Sequence, residues 1–334
     1  MNFESNSKIV FVAEAYLRQY AYCSVVRPLT SSIKIAHYNN MINQESLFLS
    51  QGKHQLHLRH VWKNKGGSPV FMIHGVIENG LIFYTKKGKG LACYLAEQGF
   101  DVYVADMRGR GESTPKINKY ADYGQFETIT QDIPRFINYI IEDTQQKVHL
   151  VAHSWGGVLL ASALARTPEL IKNIRSKTCF GTKRMVTVKS LEKLFKINIV
   201  WNNLAIKLAN KRGFLDAKGY GMGSDNETKK SLADSIVWTK KGCWHDPRDG
   251  FDYFQAAKLI DWPPTWHFTG SKDKVLGHAT DVNIFIKEYN PKAKFTLLSK
   301  PSGNMHNYDH INILTHPDAI NDHFPLLVDW LKSH

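Results

Sequence analysis

At 334 residues and 43% hydrophobic content, the chain is long enough for one α/β domain with an insertion and can bury a sizeable core. It contains no run of about eighteen apolar residues, so no membrane span is expected. The net charge of +13 would suit a nucleic-acid binder, but Lys and Arg are spread along the chain without a basic helix or an aromatic–basic motif. A basic, soluble surface is the plainer reading, with contact to anionic membranes as the alternative.

The N-terminus lacks a secretory pattern: the apolar run at 9–13 is short and is followed at once by Glu14. Residues 2–22 read as a polar-to-amphipathic helix. Cys23, Cys93, Cys179 and Cys243 form no C-x-x-C pair, which removes the usual metal and redox signatures. Cys93 and Cys179 read as packed thiols. A cytoplasmic, reducing setting is expected.

Residues 46–50 and 54–62 are strand-like runs joined by Gln51-Gly52, with Leu56, Leu58 and Trp62 on one face of the second. They predict a hairpin. His54, His57 and His60 on it are expected at the surface. A short buried-strand pattern at 69–73 ends in His74-Gly75-Val76, and residues 79–98 are mainly helical with a break near 86–90. The strand at 101–105 runs into Asp106-Met107-Arg108-Gly109-Arg110-Gly111-Glu112-Ser113. Residues 126–142 carry apolar side chains at helical spacing, including Ile129, Ile133, Phe136, Ile137 and Ile140.

The apolar run 148–151 feeds Ala152-His153-Ser154-Trp155-Gly156-Gly157, and residues 158–165 are small or aliphatic. Strand, tight turn and helix then follow directly. A serine at such a turn is held in a strained conformation with its hydroxyl exposed, and the N–H of the next residue is free to bind an anion. Ala152 stands where Gly is more usual, and a small residue still fits that corner.

"HG", "D-x-R-G-x-G-x-S" and the serine turn, in this order after successive strands, resemble the landmarks of the α/β-hydrolase family. The resemblance covers roughly residues 45–180 and 260–334. It implies a central, mostly parallel sheet flanked by helices, with a lid inserted after the sixth strand. On that frame residues 1–182 form the first part of the core, 183–254 a helical lid, and 255–334 the second part of the core. The insertion lacks buried-strand runs and carries Leu191, Leu194, Phe195, Val200, Trp201, Leu204, Val237, Trp238 and Trp244, which would pack it on the sheet or line a pocket.

A serine hydroxyl needs a base within hydrogen-bond reach, and the base needs a carboxylate to fix its tautomer. The family order is Ser, acid, His. No carboxylate follows the sixth strand, whereas Asp273 in Gly270-Ser271-Lys272-Asp273 follows the seventh. Asp281 is the fallback, within the next helix. After the last strand His310 is the expected base and His306 the alternative, while His316 reads as a surface or capping residue. The resemblance places the oxyanion hole on the backbone N–H groups of Val76 and Trp155. His74 would brace that loop. Arg108, Arg110 and Gly111 would support the sheet end, with Arg108 also able to meet a substrate carboxylate.

The expected activity is a serine hydrolase of carboxylic esters, with a small-molecule or lipid-like ester as substrate. A prolyl-aminopeptidase-like peptidase, a thioesterase and an acyltransferase on the same triad are the alternatives. A non-catalytic binding protein of the same fold would require a broken triad. "HG", Asp132-Ile133-Pro134 and Tyr308-Asp309-His310 also resemble the gastric-lipase branch, which implies an apolar acyl chain. Neither a metal set nor a phosphate-cradling glycine loop stands out, so no cofactor is expected.

Overall fold

The structure, a computed structural model, describes residues 42–334. The N-terminal helix read at 2–22 and Cys23 lie outside the described residues.

The strands are β1 (Asn43–Gln51), β2 (His54–Trp62), β3 (Pro69–Ile73), β4 (Asp101–Asp106), β5 (Val148–His153), β6 (Ile174–Phe180), β7 (Phe214–Leu215), β8 (Glu227–Thr228), β9 (Thr265–Gly270) and β10 (Lys294–Leu298). All but β7 and β8 form one eight-stranded sheet in the order β1-β2-β4-β3-β5-β6-β9-β10. The hairpin end is antiparallel and the remaining pairs are parallel.

Parallel strands need crossovers, and the helices they use cover both faces. Phe71, Ile73, Tyr103 and Ala105 point into a core shared with the helices α2 (Ile133–Thr144) and α3 (Trp155–Arg166). Their strand neighbours Val70, Met72, Val102 and Val104 point into a second core, closed by α1 (Leu91–Glu97) and the terminal helix at Phe324–Ser333. The strands are therefore apolar on both faces, which explains their continuous hydrophobic runs.

This double coverage reaches the hairpin. β2 lies between β1 and β4, and His54, His57 and His60 are buried, contrary to the surface expectation. His57 Nδ1 lies 2.7 Å from Asp106 Oδ2, and His60 stacks on Tyr103 with ring centroids 4.2 Å apart. Asp106 also accepts the N–H groups of Gly80 and Glu112, each at 2.7 Å. Gly111 sits at φ 51°, and a Cβ there would lie 1.9 Å from the Asp106 carboxyl carbon. The D-x-R-G-x-G-x-S run is thus a turn wrapped around its own first carboxylate.

Between β6 and β9 the regular structure is chiefly helix set among turns and loops, with a long run over 191–212 that includes a π-helical stretch at Leu194–Ala205. It also contains the β7–β8 ribbon, which the sequence pattern did not indicate. Trp238 and Trp244 enter the main core, whereas Leu191, Leu194, Phe195, Leu204 and Val237 are exposed. Leu191, Leu194, Phe195 and Leu204 differ from the expected packing because the run over 191–212 buries only Ile197, Ala205 and Ala209. Cys93 and Cys179 are buried free thiols, as expected. Among the described residues no helix is long and apolar enough to cross a membrane.

Candidate active site

Ser154 sits between the end of β5 and the start of α3, with φ 51° and ψ −127°. A non-glycine residue at positive φ is strained and persists only when its surroundings hold it. The Ser154 N–H donates to the Phe180 carbonyl at 2.8 Å, and the Thr182 hydroxyl donates to the Ser154 carbonyl at 2.9 Å. Close approach of helix and loop completes the turn. A Cβ on Gly156 would lie 2.4 Å from the His74 carbonyl oxygen, so only glycine lets α3 start there.

Ser154 Oγ lies 2.8 Å from His310 Nε2, and His310 Nδ1 lies 2.5 Å from Asp273 Oδ2. Asp273 follows β9 and His310 follows β10, so three strand ends of one sheet supply the group. His310 and Asp273 are both buried. Burial pushes the Asp273 carboxyl up, but His310, the Gly277 N–H and Lys183 outweigh it and hold it below the usual carboxylate range.

His306 is not in this group. Its Nε2 lies 2.7 Å from Asp318 Oδ2. Asp281 is likewise elsewhere, accepting the Thr187 N–H at 2.9 Å. The His316 ring caps the next turn by accepting the Asp318 N–H at 3.2 Å.

The loop after β3 lies against the serine, since a Cβ on Gly75 would be 2.8 Å from Ser154 Cβ. Trp155 opens α3, so its N–H has no acceptor one turn back. Val76 directly follows Gly75, and Ile77 is held at φ 52°. His74 braces this loop: Nδ1–H donates to the Gly75 carbonyl at 2.8 Å, and Nε2 accepts the Met107 N–H at 3.1 Å. Burial, with Arg110 nearby, lowers its pKa and favours this neutral tautomer. Arg108 is committed to Asp132, with Nε to Oδ2 at 3.1 Å and Nη2 to Oδ1 at 2.5 Å, and does not offer a free guanidinium to a substrate.

Two residues near the serine escaped the sequence reading. They are His153 and Glu78: His153 Nδ1 lies 2.8 Å from Glu78 Oε2. Glu78 also accepts the Gly75 N–H at 2.8 Å. A carboxylate three residues after "HG" was the available signal.

Residues 68–193 match a family model described as the alpha/beta hydrolase fold. The chain has the alpha/beta-hydrolase fold. Its architecture also matches a soluble variant of monoglyceride lipase from Saccharomyces cerevisiae, with a TM-score of 0.63 at 16% identity over 92% of this chain and 98% of that one. In sequence this chain is similar to rat gastric triacylglycerol lipase, 31% identical over 46% of this chain and 41% of the lipase. It is also similar to human lipase member K, 34% identical over 36% of this chain and 32% of that protein. The matched segment spans less than half the length of these curated relatives.

Proposed function

We propose that this protein is a serine hydrolase of carboxylic esters, with Ser154 as nucleophile, His310 as base and Asp273 as its orienting acid. The observation that carries the reading is the Ser154–His310–Asp273 hydrogen-bonded chain at a strained strand-to-helix turn.

In this reading Ser154 Oγ attacks the ester carbonyl carbon as its proton passes to His310 Nε2. The carbonyl electron pair moves onto oxygen, where the N–H groups of Val76 and Trp155 receive it. Each such donor is worth about 2.7–4 kcal/mol of barrier. The C–O bond to the alcohol then breaks, and Nε2–H gives its proton to the leaving oxygen. An acyl-enzyme remains. Water attacks it with His310 again taking the proton, and the carboxylic acid leaves as Ser154 regains its hydrogen. Asp273 accepts the Nδ1–H throughout and steadies the imidazolium.

Residues 183–254 act in this reading as a lid that sets substrate choice. Leu191 is 86% exposed, Leu194, Phe195 and Ile199 are exposed with it, and the same run carries Lys193, Lys196, Lys207 and Lys211. Exposed apolar side chains among lysines suit the surface of an anionic lipid assembly. The substrate is accordingly an ester with an apolar acyl chain, in keeping with the names of the similar lipases.

The test uses p-nitrophenyl esters of graded acyl length, with a fluorophosphonate probe reporting on the serine. Each added methylene that is buried contributes about 0.8 kcal/mol, so kcat/KM should climb from acetate to medium chains. Ser154→Ala should abolish both labelling and turnover. Turnover within about tenfold of wild type, a difference of roughly 1.4 kcal/mol, would overturn the assignment. A flat chain-length profile would remove the lipid-like substrate alone.

A further inference from the structure

His153 is fully buried and is bonded at both ring nitrogens. Its Nε2 lies 2.9 Å from the carbonyl oxygen of His310. A carbonyl oxygen has no proton to give, so Nε2 is the donor. Its Nδ1 meets Glu78 Oε2, the same oxygen that accepts the Gly75 N–H. One imidazole and one carboxylate therefore tie together the loop after β3, the turn at the end of β5 and the loop after β10.

Each tied segment carries a group assigned to the reaction. Val76 follows Gly75, Ser154 follows His153, and the anchored carbonyl belongs to His310 itself. Two of the three described non-glycine residues at positive φ flank the pair as well: Ile77 at φ 52° precedes Glu78, and Ser154 at φ 51° follows His153. Strained backbone persists where neighbouring contacts over-determine it. Glu78 and His153 supply such contacts on both sides.

We propose that Glu78 and His153 form a positioning pair that keeps the oxyanion loop, the nucleophile turn and the base loop in one register. The proposal rests on the serine-hydrolase reading of the site. Neither side chain need touch substrate; both act through the segments they hold. Burial opposes charge on each partner, yet Glu78 raises the His153 imidazole above its ordinary value and His153 holds the Glu78 carboxyl below its own. His310 and Asp273 are the charged or titratable groups facing the pair from the other strand ends.

The experiment compares Glu78→Ala and Glu78→Gln in the full chain, with kcat and KM measured on a medium-chain ester and normalised to sites titrated by the fluorophosphonate. A shift of about 1 Å in reacting groups costs on the order of a hundredfold. Glu78→Ala should therefore lower kcat roughly 10–100-fold while KM stays within about threefold. Glu78→Gln should recover most of the loss. Its amide oxygen, placed where Oε2 stands, can accept both the Gly75 N–H and the His153 Nδ1–H. A wild-type kcat in Glu78→Ala overturns the pair, and so does a Glu78→Gln no better than the alanine variant. Should Glu78→Ala not fold, Glu78→Asp, one methylene shorter, takes its place with the same expectation. Hydrolysis surviving Ser154→Ala would remove the serine reading itself. An inert Ser154→Ala beside a fully active Glu78→Ala would remove only the positioning pair.

Discussion

Arg110, on the turn after β4, forms an ion pair with Glu227 of β8, and both side chains are buried. The pair bridges the core and the segment between β6 and β9. Next to it the Asp225 N–H donates to the Ile77 carbonyl at 3.1 Å, and Asp225 Oδ2 accepts the Gly111 N–H at 2.6 Å. The segment between β6 and β9 is thereby fastened to the loop that flanks Ser154.

Breaking one partner of a buried pair leaves an uncompensated charge and costs roughly 3–5 kcal/mol. Glu227→Ala is expected to lose that much in urea unfolding and to expose residues 183–254 to limited proteolysis. Arg110→Met combined with Glu227→Leu removes both charges and should be more stable than either single alanine variant. Unchanged unfolding midpoints for Glu227→Ala would refute the fastening.

The two histidines after β10 are separable by kinetics. His310→Ala should lower kcat/KM by about a thousandfold or more, because no other ring reaches Ser154 Oγ among the contacts of the described residues. His306→Ala should leave kcat/KM within about threefold and cost at most about 1 kcal/mol, since its partner Asp318 is solvent-exposed in part. Inverted results would exchange the two assignments.

Gly156→Ala probes the closeness of helix and loop. The new Cβ meets backbone, the His74 carbonyl at 2.4 Å and the Ile73 carbonyl at 2.9 Å, and neither is a side-chain end that can swing away. Overpacking of this kind costs about 1–3 kcal/mol. The loop bearing Val76 should move with it, so fluorophosphonate labelling of Ser154 should slow more than unfolding stability falls. A labelling rate equal to wild type would place the loop outside the reacting geometry.

The pH dependence of stability follows from Asp106. Burial raises its carboxyl, but the hydrogen bonds from His57, Glu112 and Gly80 outweigh this and hold it below the ordinary carboxylate value. A depressed folded value means the unfolded chain binds the proton first. The stabilisation is complete above the unfolded value of about 3.9 and is lost as pH falls through the folded one. Asp106→Asn should be less stable near neutrality and show a shallower loss of unfolding free energy on acidification. Parallel slopes for the two proteins would contradict the shift.

The strands, the serine turn and the order of the landmarks were legible in the sequence because each is a local pattern. Apolar runs at 69–73, 101–105 and 148–151 report two-sided burial, and a serine between small residues reports a turn with little room. The carboxylate that meets His310 was legible too, since Asp273 is the one carboxylate directly after the end of β9. Tertiary structure alone decided the rest. Whether His306 or His310 meets Ser154 depends on how a loop after β10 lies across a serine 156 positions earlier, and both histidines have the same local chemistry. Arg108 looked free because Asp132, the carboxylate that claims it, is distant in the chain. The hairpin histidines became core residues because β2 pairs with β4 on one side and β1 on the other. Glu78 and His153 meet across 75 positions, a contact that strand register creates and that no periodicity in either segment encodes.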